Sequence, residues 1–168
     1  MASESVRTFG IDPGTAIMGY GVVEGKSGAL RLVAYGVLNT SNAETMPQRL
    51  HFLHRRLVEL LELYRPAAVA VEQLFFNRNV RTALAVGQAR GVALLAAAQQ
   101  GLAVYEYTPL QVKDAVVGYG RASKDQVQQM IRVLLNLEGI PKPDDAADAL
   151  AVAICHVHSA RIAALSQV

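Results

Sequence analysis

The side chains best placed to do chemistry are four carboxylates. Asp12 stands where an apolar run, Val6–Asp12, meets Pro13-Gly14; taken alone, Asp-Pro-Gly is ordinary turn chemistry. Glu72 follows the short apolar stretch Ala67–Val71, where an unpaired carboxylate is costly unless a basic side chain or a metal answers it. Asp145 and Asp148 come after Pro141-Lys142-Pro143 at a spacing of three, so they share one face of a helix that Asp144 can cap. Asp145 has a structural use in the first turn, where the helix macrodipole favours negative charge. Asp148 has none: every other side chain from 146 to 155 is Ala, Leu, Val, Ile or Cys.

A helix apolar nearly all round is buried, so Asp148 is expected to be at least partly buried and to need a cation or a proton. No Lys or Arg lies between Lys142 and Arg161. The compensating charge must come from elsewhere, and a divalent metal is the economical source. Donors that are all oxygen suit Mg2+ or Mn2+ and argue against zinc. Two ions per subunit, about 3.5–4 Å apart, would clamp a phosphodiester, one activating a water and the other stabilising the leaving 3′ oxygen. No Ser-His-Asp or Cys-His arrangement competes. His156 and His158, further along the same helix, read as structural or surface residues rather than ligands.

Bringing four distant acids together calls for a sheet and a helix laid across it. Val6–Asp12, Tyr20–Glu24 and Leu30–Leu38, with a turn at Lys26-Ser27-Gly28, read as strands joined by short loops, hence antiparallel. Leu50, Leu53, Leu57, Leu60, Leu61 and Tyr64 recur at helical spacing up to Pro66. Ala67–Val71 has the pattern of a strand buried on both faces. A helix from about Val80 to Gln100, a strand at Leu102–Tyr107 and helices near Pro109–Val116, Lys124–Leu135 and Asp145–Ala164 complete the order. Ser123 with Gln126 makes a capping box ahead of the second-last helix. The expected fold is α/β: a five-stranded mixed sheet with helices on both faces, a ribonuclease H-like architecture.

Ala83, Gly87 and Gly91 lie four apart on the second helix. Glycines inside a helix cost roughly 1 kcal/mol each relative to alanine, so a close backbone approach should offset them. Either the molecule's own sheet or a second copy of the same helix, in a homodimer, could supply it.

The chain has 168 residues, 52% of them hydrophobic and 18% charged. That suits a single domain spanning residues 1–168 and excludes intrinsic disorder. The longest apolar run, Gly91–Ala98, is far short of the roughly 20 residues that cross a bilayer. The first residues lack a signal-peptide layout, and the lone Cys155 fits a reducing compartment, so a cytoplasmic location with no membrane contact is expected. Sixteen Lys and Arg face fourteen Asp and Glu; setting four acids aside as metal ligands leaves the remainder clearly basic. Between Phe75 and Arg90 there are three arginines, Arg78, Arg81 and Arg90, and no acid, a modest basic face that suits a polyanion. Arg78 and Arg81 are candidate contacts to such a polyanion. Phe75 and Phe76 lie together in a polar loop just after Glu72, placed either to tuck into the core or to wedge against unstacked bases.

Gly10-Ile-Asp-Pro-Gly-Thr15, Val71-Glu72-Gln73, Gly87-Gln-Ala-Arg-Gly91 and Asp145-Ala-Ala-Asp-Ala-Leu150 occur in this order, and together they resemble the RuvC family of bacterial Holliday-junction endonucleases over nearly the whole chain. The resemblance implies a homodimer that nicks two opposite strands of four-way junction DNA symmetrically. It implies Mg2+ or Mn2+ as cofactor, 5′-phosphate and 3′-hydroxyl ends, and work beside the RuvA and RuvB branch-migration proteins in recombination and repair. It maps the family's acidic tetrad onto Asp12, Glu72, Asp145 and Asp148, its base-contacting aromatic onto Phe75, and basic positions near the scissile phosphate onto Lys113 and Lys124. Three other readings stand beside it. One is a related nuclease for RNA–DNA hybrid; another is a phosphate loop of the sugar-kinase and actin-like ATPase type, for whose second half the chain is too short. The third is an inactive junction-binding scaffold, against which the four acids argue.

Overall fold

The computed structural model describes residues 5–73 and 79–165. Five strands, β1 (Val6–Asp12), β2 (Ile17–Lys26), β3 (Ala29–Asn39), β4 (Ala68–Glu72) and β5 (Ala103–Tyr107), form one sheet in the order β3-β2-β1-β4-β5. β1–β2 and β2–β3 are antiparallel, while β1–β4 and β4–β5 are parallel, so the sheet is mixed as expected. Ser27 and Gly28 carry φ of 51° and 89°, the two positive values that a tight two-residue hairpin demands. β2 begins three residues before its expected start, because Ile17–Gly19 pair with the far end of β3 and Gly19 with Asp12.

Helices α1 (Met46–Tyr64) and α2 (Val80–Gln99) cover one face of the sheet, packing on Phe9, Ile11, Val22, Val69 and Val71. α1 starts ahead of its leucine repeat because Gln48 Oε1 accepts from the backbone N–H of Thr45 at 2.8 Å, a helix-start signal independent of hydrophobic period. Helices α3 (Pro109–Val117), α4 (Lys124–Leu134) and α5 (Asp144–Leu165) lie on the opposite face, around Ala70, Val112, Val127, Ile131 and Leu150. The expected capping box at α4 is present, with Ser123 Oγ and Gln126 Oε1 each accepting from the other's backbone N–H at 3.2 and 2.8 Å. α5 opens one residue early: Ala146 and Ala147 donate to Pro143 O, so Asp144 sits inside the first turn instead of capping it.

Side chains alternate across a strand. Phe9 and Ile11 point toward α1 and α2, which turns Gly10 and Asp12 toward α5. Val69 and Val71 likewise face α1 and α2, leaving Ala70 and Glu72 on the α5 side. Parallel pairing sets Ile11 against Val71, and one residue further the same register sets Asp12 beside Glu72.

α5 rests directly on the backbone of β1 and β2. A Cβ added at Gly10 would stand 2.1 Å from Ala149 O, one at Gly19 2.0 Å from Asp145 O, and one at Gly21 2.7 Å from Leu150 Cδ2. These three glycines form a shelf low enough for the first turns of α5 to reach the ends of β1 and β4. The glycines of α2 behave differently. A Cβ at Gly87 or Gly91 would meet nothing within 4 Å, so packing against the chain's own sheet does not explain them. They lie instead on an outward stripe with Val80, Leu84 and Leu95, all exposed.

Candidate acidic site at the strand ends

Asp12 and Glu72 end adjacent parallel strands, and Asp145 and Asp148 project from the first two turns of α5. The charges of these acids reach one another. The Asp12 carboxyl is pushed up to about 7, first by burial and then by the negative charges of Asp148, Asp145 and Glu72, with Lys124 opposing. Burial and Asp148 raise Glu72, and Lys113 opposes. Burial raises Asp148 against the pull of Lys124, with Asp144 and Asp145 adding to the rise. Asp148 is partly buried, its side chain 39% exposed, as its apolar setting requires. Like charges held together in a half-buried place favour protons or cations.

The source of positive charge that the α5 segment lacks is partly Lys124, the first residue of α4. Its Nζ is 3.7 Å from Asp148 Oδ2 and 3.1 Å from Asp144 Oδ2. Asp144 Oδ1 accepts from Gln128 Nε2 at 3.1 Å. Lys124, Gln128 and Ile131 fall at i, i+4 and i+7 on one face of α4, and that spacing is the signal by which Gln128 could have been found in the sequence. Lys113, on α3, is half-buried, and its charge reaches Glu72. Part of the compensating charge expected from outside α5 is therefore the Lys124 ammonium.

The donor set is nevertheless of the right kind for a hard divalent ion: four carboxylates and no nitrogen or sulfur. Among the described residues, no three His, Cys, Asp or Glu side chains are gathered closely enough to enclose an ion as they stand. Asp12, Glu72, Asp145 and Asp148 line an open acidic mouth, with Lys124 at its rim.

Arg81 is exposed in the first turn of α2. Arg90 leaves the basic face, because its guanidinium pairs with Glu106 of β5. Phe75, Phe76 and Arg78 lie outside the described residues. His156 and His158 stand apart from the acids, as expected. His156 is 5% exposed, accepts or donates at 2.7 Å with Tyr107 Oη, and packs on the Tyr105 ring at 4.3 Å. His158 Nδ1 is 2.9 Å from Ala115 O. No helix among the described residues is long and apolar enough to cross a membrane.

A mixed five-stranded sheet flanked by helices, with acids at the ends of its two central parallel strands and on the helix across them, defines a ribonuclease H-like α/β protein with an acidic site. The match to known proteins is narrower. Residues 8–156 match the family model for crossover junction endodeoxyribonuclease RuvC. The chain is 58% identical over 160 residues to the crossover junction endodeoxyribonuclease RuvC of Alkaliphilus metalliredigens, covering 95% of this chain and 98% of that protein. In three dimensions it superposes on Thermus thermophilus RuvC, solved in complex with a Holliday junction substrate, with a TM-score of 0.91 and 43% identity over 94% and 96% of the two chains. The yeast mitochondrial Holliday junction resolvase, 14% identical over 91% of this chain and 78% of its own with a TM-score of 0.68, shares the fold. The chain belongs to the RuvC family of crossover junction endodeoxyribonucleases.

Proposed function

We propose that this chain resolves four-way DNA junctions by metal-dependent hydrolysis, with Asp12, Glu72, Asp145 and Asp148 holding Mg2+ or Mn2+. The observation that carries the reading is the placement of acids at the ends of β1 and β4 and the start of α5, where burial and neighbouring negative charge push Asp12, Glu72 and Asp148 up. Bound there, two divalent ions would supply an activated water and stabilise the departing 3′ oxygen. Water adds its oxygen to phosphorus as the bond to the 3′ oxygen breaks, leaving 5′-phosphate and 3′-hydroxyl ends.

The remaining residues orient the DNA. Lys113 and Lys124, at the rim of the acidic mouth, suit contacts to the backbone beside the scissile phosphate, while Arg81 and Arg78 suit phosphates further along. Phe75, two residues beyond Gln73, is assigned to the unstacked bases at the branch point. The outward stripe of Val80, Leu84, Gly87, Gly91 and Leu95 on α2 fits a homodimer, since glycines let two helix backbones approach closely. A two-fold dimer presents two equivalent sites to a two-fold junction. In this reading the protein works in the cytoplasm with RuvA and RuvB in recombination and repair.

The test is cleavage of a synthetic four-way junction and of an RNA–DNA hybrid by the purified protein with Mg2+ or Mn2+. Paired, symmetric nicks in the junction alone are expected. Preferential cutting of the hybrid, or equal activity in a chelator, overturns the proposal.

A further inference from the structure

Asp144, read from the sequence as a helix cap, is tied to the acidic site by side-chain contacts instead. Its Oδ2 is 3.1 Å from Lys124 Nζ, its Oδ1 accepts from Gln128 Nε2 at 3.1 Å, and the same oxygen lies 3.8 Å from Lys142 Nζ. Gln128 is 5% exposed, so its amide is fixed by the packing of α4 on α5 and keeps Asp144 in one place. Lys124 Nζ is also 3.7 Å from Asp148 Oδ2. One ammonium is thus shared between an acid inside the cluster and an acid outside it, and the shorter contact is to the outsider. An ammonium and a divalent ion compete for the same carboxylate oxygens, and their mutual repulsion forbids close occupancy of both. A cation that takes Asp148 must therefore displace Lys124. With Asp144 removed, the nearest partner left to that ammonium is Asp148 itself.

We propose that Asp144 is a positioning residue: backed by Gln128, it holds the Lys124 ammonium at the rim of the cluster, so that Asp148 is freed for a divalent cation while the positive charge stays beside the site. The inference rests on the reading of the four acids as a metal site. Asp144 itself is not a ligand in this scheme. It acts through Lys124, and its effect must vanish when Lys124 is absent.

The experiment is calorimetric titration of Mn2+ into the full, metal-free protein without DNA. It compares wild type, Asp144→Asn, Asp144→Glu, Lys124→Met and the Asp144→Asn/Lys124→Met double variant. The exchanged side chains are about half exposed, so these variants are expected to fold. Asp144→Asn should weaken Mn2+ binding about tenfold, the low end of what losing a supporting partner costs a metal site, and Asp144→Glu should restore most of it. In the Lys124→Met background the same Asp144→Asn change should alter affinity less than about twofold, the non-additivity expected of coupled groups. An equal loss with and without Lys124 would show that Asp144 contributes only its own negative charge, and would overturn the proposal. So would Mn2+ binding that Asp12→Asn abolishes and Asp144→Asn leaves unchanged; the metal site would then stand without this role for Asp144. Absence of Mn2+ binding by wild type would overturn both readings together.

Discussion

The two ends of α5 handle polar groups in opposite ways. Near its start, Asp145 and Asp148 face Asp12 and Glu72, and the carboxyls of Asp12, Glu72 and Asp148 are pushed up by burial and by neighbouring acids. About two turns on, three polar side chains have neutral partners: His156 with Tyr107 at 2.7 Å, His158 with Ala115 O at 2.9 Å, and Cys155 Sγ with Gln111 O at 3.7 Å. Both ends press on the same sheet and both lie in apolar surroundings. The far end satisfies its polar atoms, so it stabilises the fold and asks for nothing from outside. The near end leaves like charges only partly answered by Lys124 and Lys113, an arrangement that costs stability until a proton or cation arrives. Unfavourable electrostatics concentrated at one end of one helix marks that end as the candidate functional site.

The largest expected effect tests that division directly. Asp12→Asn or Glu72→Gln should cut junction cleavage on the order of 10^3-fold or more, since a metal's stabilisation of the transition state is worth several kcal/mol. Junction affinity, measured by gel shift in Ca2+, should be kept. Full turnover by either variant in Mn2+ would erase the difference between the two ends. At the other end, His156→Ala should lower stability to urea by about 2–3 kcal/mol, through lost packing and an orphaned Tyr107 hydroxyl. Cleavage per folded molecule should not change; a cleavage defect at unaltered stability would make the far end functional too.

Smaller, but sharper in sign, is the pH dependence of the metal-free protein. Asp12 titrates at about 7 against an ordinary 3.8, so the folded state holds the extra proton between those values. Stability therefore falls as pH rises through that window. Asp12→Asn should stabilise the metal-free protein at pH 8 by on the order of 4 kcal/mol, with the gain fading below about pH 4. His156 runs the other way. Burial lowers its pKa, so its contribution is complete above the ordinary histidine value and is lost as pH falls. Urea melts of wild type and Asp12→Asn across pH 4–8, without metal, would show the two slopes; a pH-independent difference would refute the assignment at Asp12.

Most of the architecture was legible before any coordinates. Every strand and helix described here was expected from the sequence. The boundary misses have local causes: Ile17–Gly19 are held in β2 by pairing with the far end of β3, and the start of α1 is set by Thr45 and Gln48 rather than by leucines. Asp148 stood out as a candidate because it has no structural reason to interrupt an apolar helix. Lys124 was legible only as a candidate DNA contact, since nothing in the linear order places α4's first residue against a helix that begins twenty residues later. Gly10, Gly19 and Gly21 were equally silent. Their spacing becomes a shelf only after β1 and β2 pair, with Gly10 opposite Gly21 and Asp12 opposite Gly19.

Sequence alone determined which elements form and which residue types carry the chemistry, because hydrophobic period, caps and the oddity of a lone acid in an apolar helix are local properties. Tertiary structure decided how close those residues come and who answers their charge. Strand register sets Asp12 beside Glu72, the glycine shelf lowers α5 onto them, and the packing of α4 delivers Lys124 and Gln128 to the rim. Distances across the fold govern electrostatics, and they depend on residues far apart in the chain.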